Sequence, residues 1–253
     1  MNTLTPVTLS DGLIVETVWY PYGTLCISSQ AGCRIGCPFC ASGRKGLVRS
    51  LTCEEMMVQA KTAEAKRITI SGIGEPLDNF IAVKEFIERS ELPAAVTTTA
   101  CSFLVKDLLM LNHNGVMISV HAGTETAHKK LIPNTRPLKD IYDDIAQVWD
   151  TMSVRSRKKL GFNYLLVEGV NDSYAEIDAH IENMGRFPQA STHLLILNHV
   201  DKSPYKSPPR EKYDEIYEYM RSKGLNVRRA NQWRRKDLGG CGTLWLKSLE
   251  EKC

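Results

Sequence analysis

"TLCISSQAGCRIGCPFCASG", residues 24–43, joins an apolar run to a loop carrying Cys33, Cys37 and Cys40, with Cys26 inside the run itself. The run "TLCISS" (24–29) reads as a strand, and a loop dense in thiols follows directly from its C-terminal end. No other stretch is so rich in one residue type. One more cysteine, Cys241, recurs far downstream between glycines in "GGCGTL".

Working outward, short β-rich runs alternate with amphipathic stretches. "CEEMMVQAKTAEA" (53–65) has helical spacing, with Thr52 as N-cap and Glu55 three residues on, a capping box. "RITISG" (67–72), "AAVTTT" (94–99), "VMISVH" (116–121), "GFNYLLVEG" (161–169) and "THLLILN" (192–198) read as further strands. Helices are expected at 79–90, at 103–113, after residue 121 as far as about Trp149, near 174–186, and at 210–224. Apolar strands separated by helices indicate a parallel sheet covered by helices. Six consecutive units predict an α/β fold, a partial (β/α)6 barrel over 23–200. A short N-terminal β-hairpin (1–22) turns at Ser10-Asp11-Gly12, and a C-terminal extension (201–253) carries Cys241. "NVRRANQ" is a candidate extra strand there and "TLWLKSLEEK" a terminal helix. No linker stands out, so a single domain over 1–253 is expected.

In a parallel barrel the working residues gather at the C-terminal ends of the strands. The thiol loop follows strand one and "GIGEP" (72–76) follows strand two. Thr99, "SVH" (119–121) and Asn198 end strands three, four and six.

The bulk composition is that of an ordinary globular chain: 253 residues, 43% hydrophobic, 24% charged, net charge +3. The start lacks a basic segment followed by an apolar one, so no signal peptide is read. No apolar run reaches the roughly 18 residues of a membrane span. A cytoplasmic protein is expected, in which clustered thiols are ligands or catalysts before they are disulfides. Basic residues concentrate in "RSRKK" (155–159) and in "VRRANQWRRK" (227–236), where Trp233 lies among them. Such a patch suits phosphates and stacked bases, or is a solvated loop over a buried tryptophan.

The C-x3-C-x2-C spacing can turn three soft thiolates toward one centre, which selects zinc or an iron–sulfur cluster. Structural zinc takes four protein ligands, with Cys26 or a histidine as the remaining candidate. Three ligands on a four-iron cluster leave one iron open for a substrate.

On these residues the chain resembles the radical S-adenosylmethionine (SAM) superfamily, with Phe39 as the aromatic before the last cysteine. Within it the match is to the RlmN/Cfr group of RNA adenosine methyl synthases. "DGLIVETVWYP", "TLCISSQAGCRIGCPFC", "GIGEPLDN", "SVHA", "VEGVND", "LILNHVDKSPYKSP" and "GGCGTL" follow the order of that group's motifs from about Asp11 to Leu244. The resemblance implies a [4Fe-4S] cluster on Cys33, Cys37 and Cys40, and two SAM molecules per turnover. It implies SAM contacts from Phe39, Gly74, Glu75, Thr99, Ser119, Val120, His121 and Asn198. It also implies Cys241 as the methyl carrier, Cys26 as its partner in a transient disulfide that resolves the adduct, and Glu16 as the carboxylate handling protons at the base. The remaining cysteines match nothing catalytic.

The resemblance further implies adenine in RNA as substrate, an external electron donor such as flavodoxin or ferredoxin, and a monomer. The group's N-terminal accessory domain is not read ahead of the hairpin. "RRKDLGG" and Thr243 depart from its pattern around the substrate and not around the cofactor. The same chemistry on a small molecule or peptide, and a non-catalytic iron–sulfur or zinc module, stay open at this level.

Overall fold

A computed structural model describes residues 1–229, 231–235 and 242–244. In chain order the elements are β1 (Thr3–Thr8), β2 (Ile14–Tyr20), β3 (Thr24–Ile27), β4 (Gln30–Gly32), β5 (Leu47–Ser50), α1 (Cys53–Ala60), β6 (Arg67–Ile70), α2 (Phe80–Arg89), β7 (Ala94–Thr98), α3 (Val105–Met110) and β8 (Gly115–Ser119). They continue with α4 (Glu125–Leu131), α5 (Leu138–Trp149), α6 (Val154–Arg157), β9 (Leu160–Leu166), α7 (Tyr174–Met184), β10 (Ser191–Ile196), α8 (Arg210–Ser222) and β11 (Val227–Arg229).

Nine strands form one sheet in the order β1-β2-β3-β6-β7-β8-β9-β10-β11, and β4-β5 form a separate pair. The hairpin β1-β2 and the step from β2 to β3 are antiparallel; every pairing from β3 to β11 is parallel. The sheet has two open edges, yet they approach one another through side chains. Asn2 Nδ2 donates to the carbonyl of Trp233 at 2.7 Å, and the Arg234 guanidinium lies 5.6 Å over the Tyr20 ring. A sheet with parallel strands whose edges meet this way is a partial barrel with a seam between β1 and the segment after β11.

The helices cover the outside by the usual apolar logic. Val83, Phe86 and Ile87 of α2 and Ile141, Tyr142 and Ile145 of α5 are buried in the main core. A smaller core joins Tyr164, Leu166 and Leu194 of β9 and β10 to Ile216 and Met220 of α8. The capping box of α1 forms: Glu55 N donates to Thr52 Oγ1 at 3.1 Å and Thr52 N to Glu55 Oε2 at 2.9 Å. The predicted hairpin turn closes around Gly12 at φ +82°.

The helical material expected up to Trp149 forms two helices, α4 and α5. Pro133 and Pro137 lie between them, and a proline removes an N–H and disfavours helix in the residue before it. The α1 and α3 helices are shorter than their apolar patterns. The β4-β5 pair was not visible in the sequence, and the terminal helix falls almost wholly outside the described residues. Among the described residues, no helix is long and apolar enough to cross a membrane.

Candidate active site

The loop bearing the three cysteines is clasped at its base. β4 pairs antiparallel with β5, Cys33 N donates to Gly46 O at 2.9 Å, and Cys40 N donates to Cys37 O at 2.9 Å. Gly32 sits at φ +83°, where a Cβ would stand 2.1 Å from Gly46 O, so the clasp requires glycine. Asn79 Nδ2 holds the carbonyls of Ser29 and Leu51 at 2.8 and 2.7 Å, and Arg34 pairs with Asp78 at 2.6 Å. A loop of this length keeps its shape only because neighbouring elements satisfy its backbone.

Cys33, Cys37 and Cys40 line one cavity of about 470 Å³. Burial pushes the Cys33 thiol up to about 12, with Glu75, Cys40 and Asp78 adding to the rise. Cys37 is raised well above the ordinary thiol range, first by burial and then by Cys40 and Cys33. Buried thiols that would repel each other as thiolates ionise readily only when a metal cation takes the place of their protons, so this donor set fits a metal cluster. It fits an iron–sulfur cluster better than one zinc. A tetrahedral zinc with Zn–S near 2.3 Å draws its sulfurs to roughly 3.8 Å of one another. Among the described residues, the trio drawn within 4.8 Å is instead Cys53, Glu54 and Glu85, whose two carboxylates both bind Arg89. No fourth cysteine lines the cavity among the described residues.

Beside the thiols, the loop after β6 turns Glu75 inward. Its carboxylate is 2% exposed and accepts from Thr98 Oγ1, from Thr99 N and Oγ1 at 2.9 Å each, and from Leu77 N at 3.0 Å. Burial raises its pKa above the ordinary carboxylate value, and these four donors offset only part of that rise. Gly74 adopts φ +112°, and a Cβ there would lie 2.6 Å from Gln30 Cβ. The glycine is therefore demanded by protein packing, whereas the sequence reading gave it only a ligand-facing reason.

Gly74, Glu75, Thr99, Ser119, His121, Asn198 and Phe39 share the cavity wall with the thiols. His121 packs edge-on to Phe39 with ring centroids 5.4 Å apart, and burial lowers its pKa to about 3, so it is neutral. His121 and Ala100 have φ of 54° and 55°, uncommon for residues with a side chain, and both stand at strand ends on this side. Val120 is buried and not on the wall; its carbonyl accepts from His128 Nδ1 at 2.6 Å. Asn198 Nδ2 donates to Arg234 O at 2.9 Å, tying the end of β10 to the C-terminal segment.

The three candidate catalytic groups are placed differently. Cys26 is buried on β3 opposite Val18 and Thr69, with Sγ 3.3 Å from Ser71 Oγ, and Ser71 is on the cavity wall. Glu16 is buried on β2, and its carbonyl accepts from Ser28 Oγ at 3.0 Å. Neither is a wall residue itself. Cys241 lies outside the described residues. Its neighbour Gly242 is on the wall and its carbonyl accepts from Ala41 N at 2.8 Å; Leu244 O accepts from Ser42 Oγ at 2.7 Å.

Several wall residues escaped the sequence reading. Asn163 contacts Ser119 Oγ at 3.4 Å, and its signal was one amide in a strand buried along its whole length. Thr135, not itself on the wall, donates from Oγ1 to the carbonyl of the wall residue Thr99 at 3.1 Å. Among the described residues, Arg67, Arg228, Arg229, Arg234 and Arg235 line the cavity against one carboxylate, Glu75, with Arg229 paired to Asp214 and Glu218.

Residues 27–181 match the family model described as the radical SAM superfamily. A probable dual-specificity RNA methyltransferase RlmN from Finegoldia magna is 30% identical, with 97% of this chain and 75% of that protein covered. A probable RNA methyltransferase from Pseudomonas aeruginosa is also 30% identical, over 96% of this chain and 73% of its own length. The crystal structure of a radical SAM methyltransferase from Sphaerobacter thermophilus superposes with TM-score 0.84 at 26% identity, covering 96% of this chain and 77% of that one.

Proposed function

We propose that this chain, which belongs to the radical SAM superfamily, is a methyl synthase that acts on an sp² carbon of adenine in RNA through a methylated cysteine. The carrying observation is convergence. The three thiols, the polar strand ends from Glu75 to Asn198, and Gly242 beside Cys241 all border one cavity.

In this reading Cys33, Cys37 and Cys40 hold a [4Fe-4S] cluster. When bound, that group supplies the one-electron cleavage of SAM, fed by an external donor such as flavodoxin or ferredoxin. Glu75 anchors the ammonium end of SAM. Its acceptor positions are filled by Thr98, Thr99 and Leu77, and the two hydroxyls are rotors that can turn aside for a stronger, charged donor. Thr99, Ser119 and Asn198 supply hydroxyl and amide partners for the ribose and adenine. The neutral His121 ring and Phe39 close an apolar side that keeps water out. The thiolate of Cys241 takes a methyl group from one SAM in a polar displacement that releases S-adenosylhomocysteine. Cys26 later attacks the Cys241 sulfur of the thioether that joins this cysteine to the base, so that the S–S bond forms as the S–C bond breaks. The departing carbon keeps the bonding electron pair, and a proton handled by Glu16 completes the methyl group. The arginine-lined wall suits a polyanion and supports RNA over a neutral small molecule. The protein acts as a monomer in this reading.

The test is anaerobic reconstitution followed by incubation with SAM, reduced flavodoxin or dithionite, and cellular RNA. Peptide mass spectrometry should find Cys241 methylated, nucleoside analysis should find methyladenosine, and Cys26→Ala should accumulate a protein–RNA crosslink. Methylated Cys241 with unmodified RNA would remove the RNA reading; an unmodified Cys241 would remove the carrier.

A further inference from the structure

Cys26 is buried one hydroxyl behind the cavity wall. Thr24 and Cys26 stand two apart on β3 and so share a face; Thr24 is on the wall, while Cys26, 3% exposed, is set back from it. Across the parallel pairing, Cys26 is level with Thr69 of β6. Cys26 Sγ lies 3.3 Å from Ser71 Oγ, and Ser71 Oγ lies 3.2 Å from Thr69 Oγ1. Thr69 and Ser71 both line the cavity. Three groups that can each give and take a proton thus run in series from a buried sulfur to an open wall.

Ser28, two residues on from Cys26, shows what a structural hydroxyl does in this fold. Its Oγ donates to Glu16 O at 3.0 Å and accepts from Ile73 N at 2.9 Å, joining two backbone segments. Among the described residues, Ser71 Oγ bonds no backbone group; its partners are a thiol and a hydroxyl. The thiolate, not the thiol, is the form that attacks sulfur. A buried thiol needs a bonded path to water to lose its proton, and a donor facing it to keep the charge.

We propose that Ser71 is the positioning residue for Cys26 and, with Thr69, forms the relay that makes it a thiolate. The inference rests on the resolving role given to Cys26 above and adds how that thiol is activated. As the Cys26 S–H proton moves to Ser71 Oγ, the Ser71 proton moves to Thr69 Oγ1 and the Thr69 proton to a water of the cavity. The S–H bonding pair stays on Cys26. The proton that Ser71 has gained then faces the sulfur as a hydrogen bond to the thiolate, which is the nucleophile of the S–S step.

The probe is methyl methanethiosulfonate, applied to the anaerobically reconstituted full chain carrying Cys241→Ala, so that Cys26 meets the reagent alone. The reagent imitates the step, since an attacking thiolate forms an S–S bond and methanesulfinate leaves. Peptide mass spectrometry reads the rate at Cys26 and, as an internal control, at Cys53, which is 2% exposed at the start of α1. Ser71→Ala should slow Cys26 roughly tenfold, the worth of a charge-assisted hydrogen bond, with Cys53 as before. Thr69→Val, which removes only the second hydroxyl, should slow it too, and Ser71→Thr should restore most of the rate. A packing defect has the opposite sign, because loosening the strands would expose Cys26 and speed its labelling. Unslowed labelling of Cys26 in either Ser71→Ala or Thr69→Val overturns the proposal. With Cys241 intact, Ser71→Ala should accumulate the protein–RNA crosslink that Cys26→Ala accumulates; a crosslink in Cys26→Ala alone also overturns the proposal. If labelling slows but neither variant accumulates a crosslink, the relay stands and the resolving role of Cys26 falls.

Discussion

At the thiol end of the cavity, Glu75, Thr98, Ser119 and His121 are buried, with their polar atoms bonded to protein neighbours. At the other end Arg67 and Arg228 are exposed cations, and Arg67 rests on an aromatic face. The first end is specified by geometry: strand ends, left-handed residues and glycines that admit no Cβ. The second is specified by charge, on side chains that solvent already reaches. A small cofactor with fixed stereochemistry calls for the former construction and a flexible polyanion for the latter. Stability should therefore concentrate at the cofactor end and salt sensitivity at the cationic end.

The largest test of that division is Cys37→Ala, which should abolish cluster assembly and all methyl transfer. Iron content and visible absorbance after anaerobic reconstitution measure it. Next is Glu75→Ala, which leaves two buried and two part-buried donors without their acceptor and should cost about 1–3 kcal/mol in urea unfolding. Its opposite number, Arg228→Gln, should stay within about 0.5 kcal/mol of wild type. Equal losses in the two variants would erase the distinction.

A pH series sharpens it further. His180 is fully buried, and its pKa falls to about 3 from the ordinary 6.5 because burial disfavours the charged ring. The unfolded chain binds the proton first, so stability is complete above pH 6.5 and is lost as the pH drops toward 3. The slope from this residue is at most about 1.4 kcal/mol per pH unit. Urea midpoints should fall less steeply with acid in His180→Gln than in wild type, the remaining slope coming from His113, His121 and His193, which burial lowers in the same way. A loss of about 1 kcal/mol is expected for Thr52→Ala, which removes the cap of α1.

How much of this was legible beforehand follows from which interactions are local. The parallel strands show as apolar runs, the turn at Gly12 and the cap at Thr52 are near-neighbour chemistry, and the thiol spacing lies within eight residues. The β4-β5 clasp was hidden because Gln30-Ala31-Gly32 has no β-branched residue and is held by long-range partners. The Glu75 hub was hidden for a similar reason: three of its four donors arrive from β7 and the residue that follows it. Nothing in "GIGEP" announces that the carboxylate is already bonded within the protein. The arginine-rich segment was visible as a patch, but its stacking on Tyr20 needs the barrel to bring the two edges together.

The hydrogen bond from Asn2 to Trp233 spans 231 residues, and that from Ser42 to Leu244 spans 202. Closing the longer one costs about 1.5 kcal/mol more loop entropy than the 43-residue link between Thr24 and Arg67. The thermodynamic difference is small; the temporal one is not. During translation the strands carrying the thiols can pair long before Trp233 leaves the ribosome, so a nascent chain passes through a stage as an open trough, its cysteines in place and its last wall still unmade.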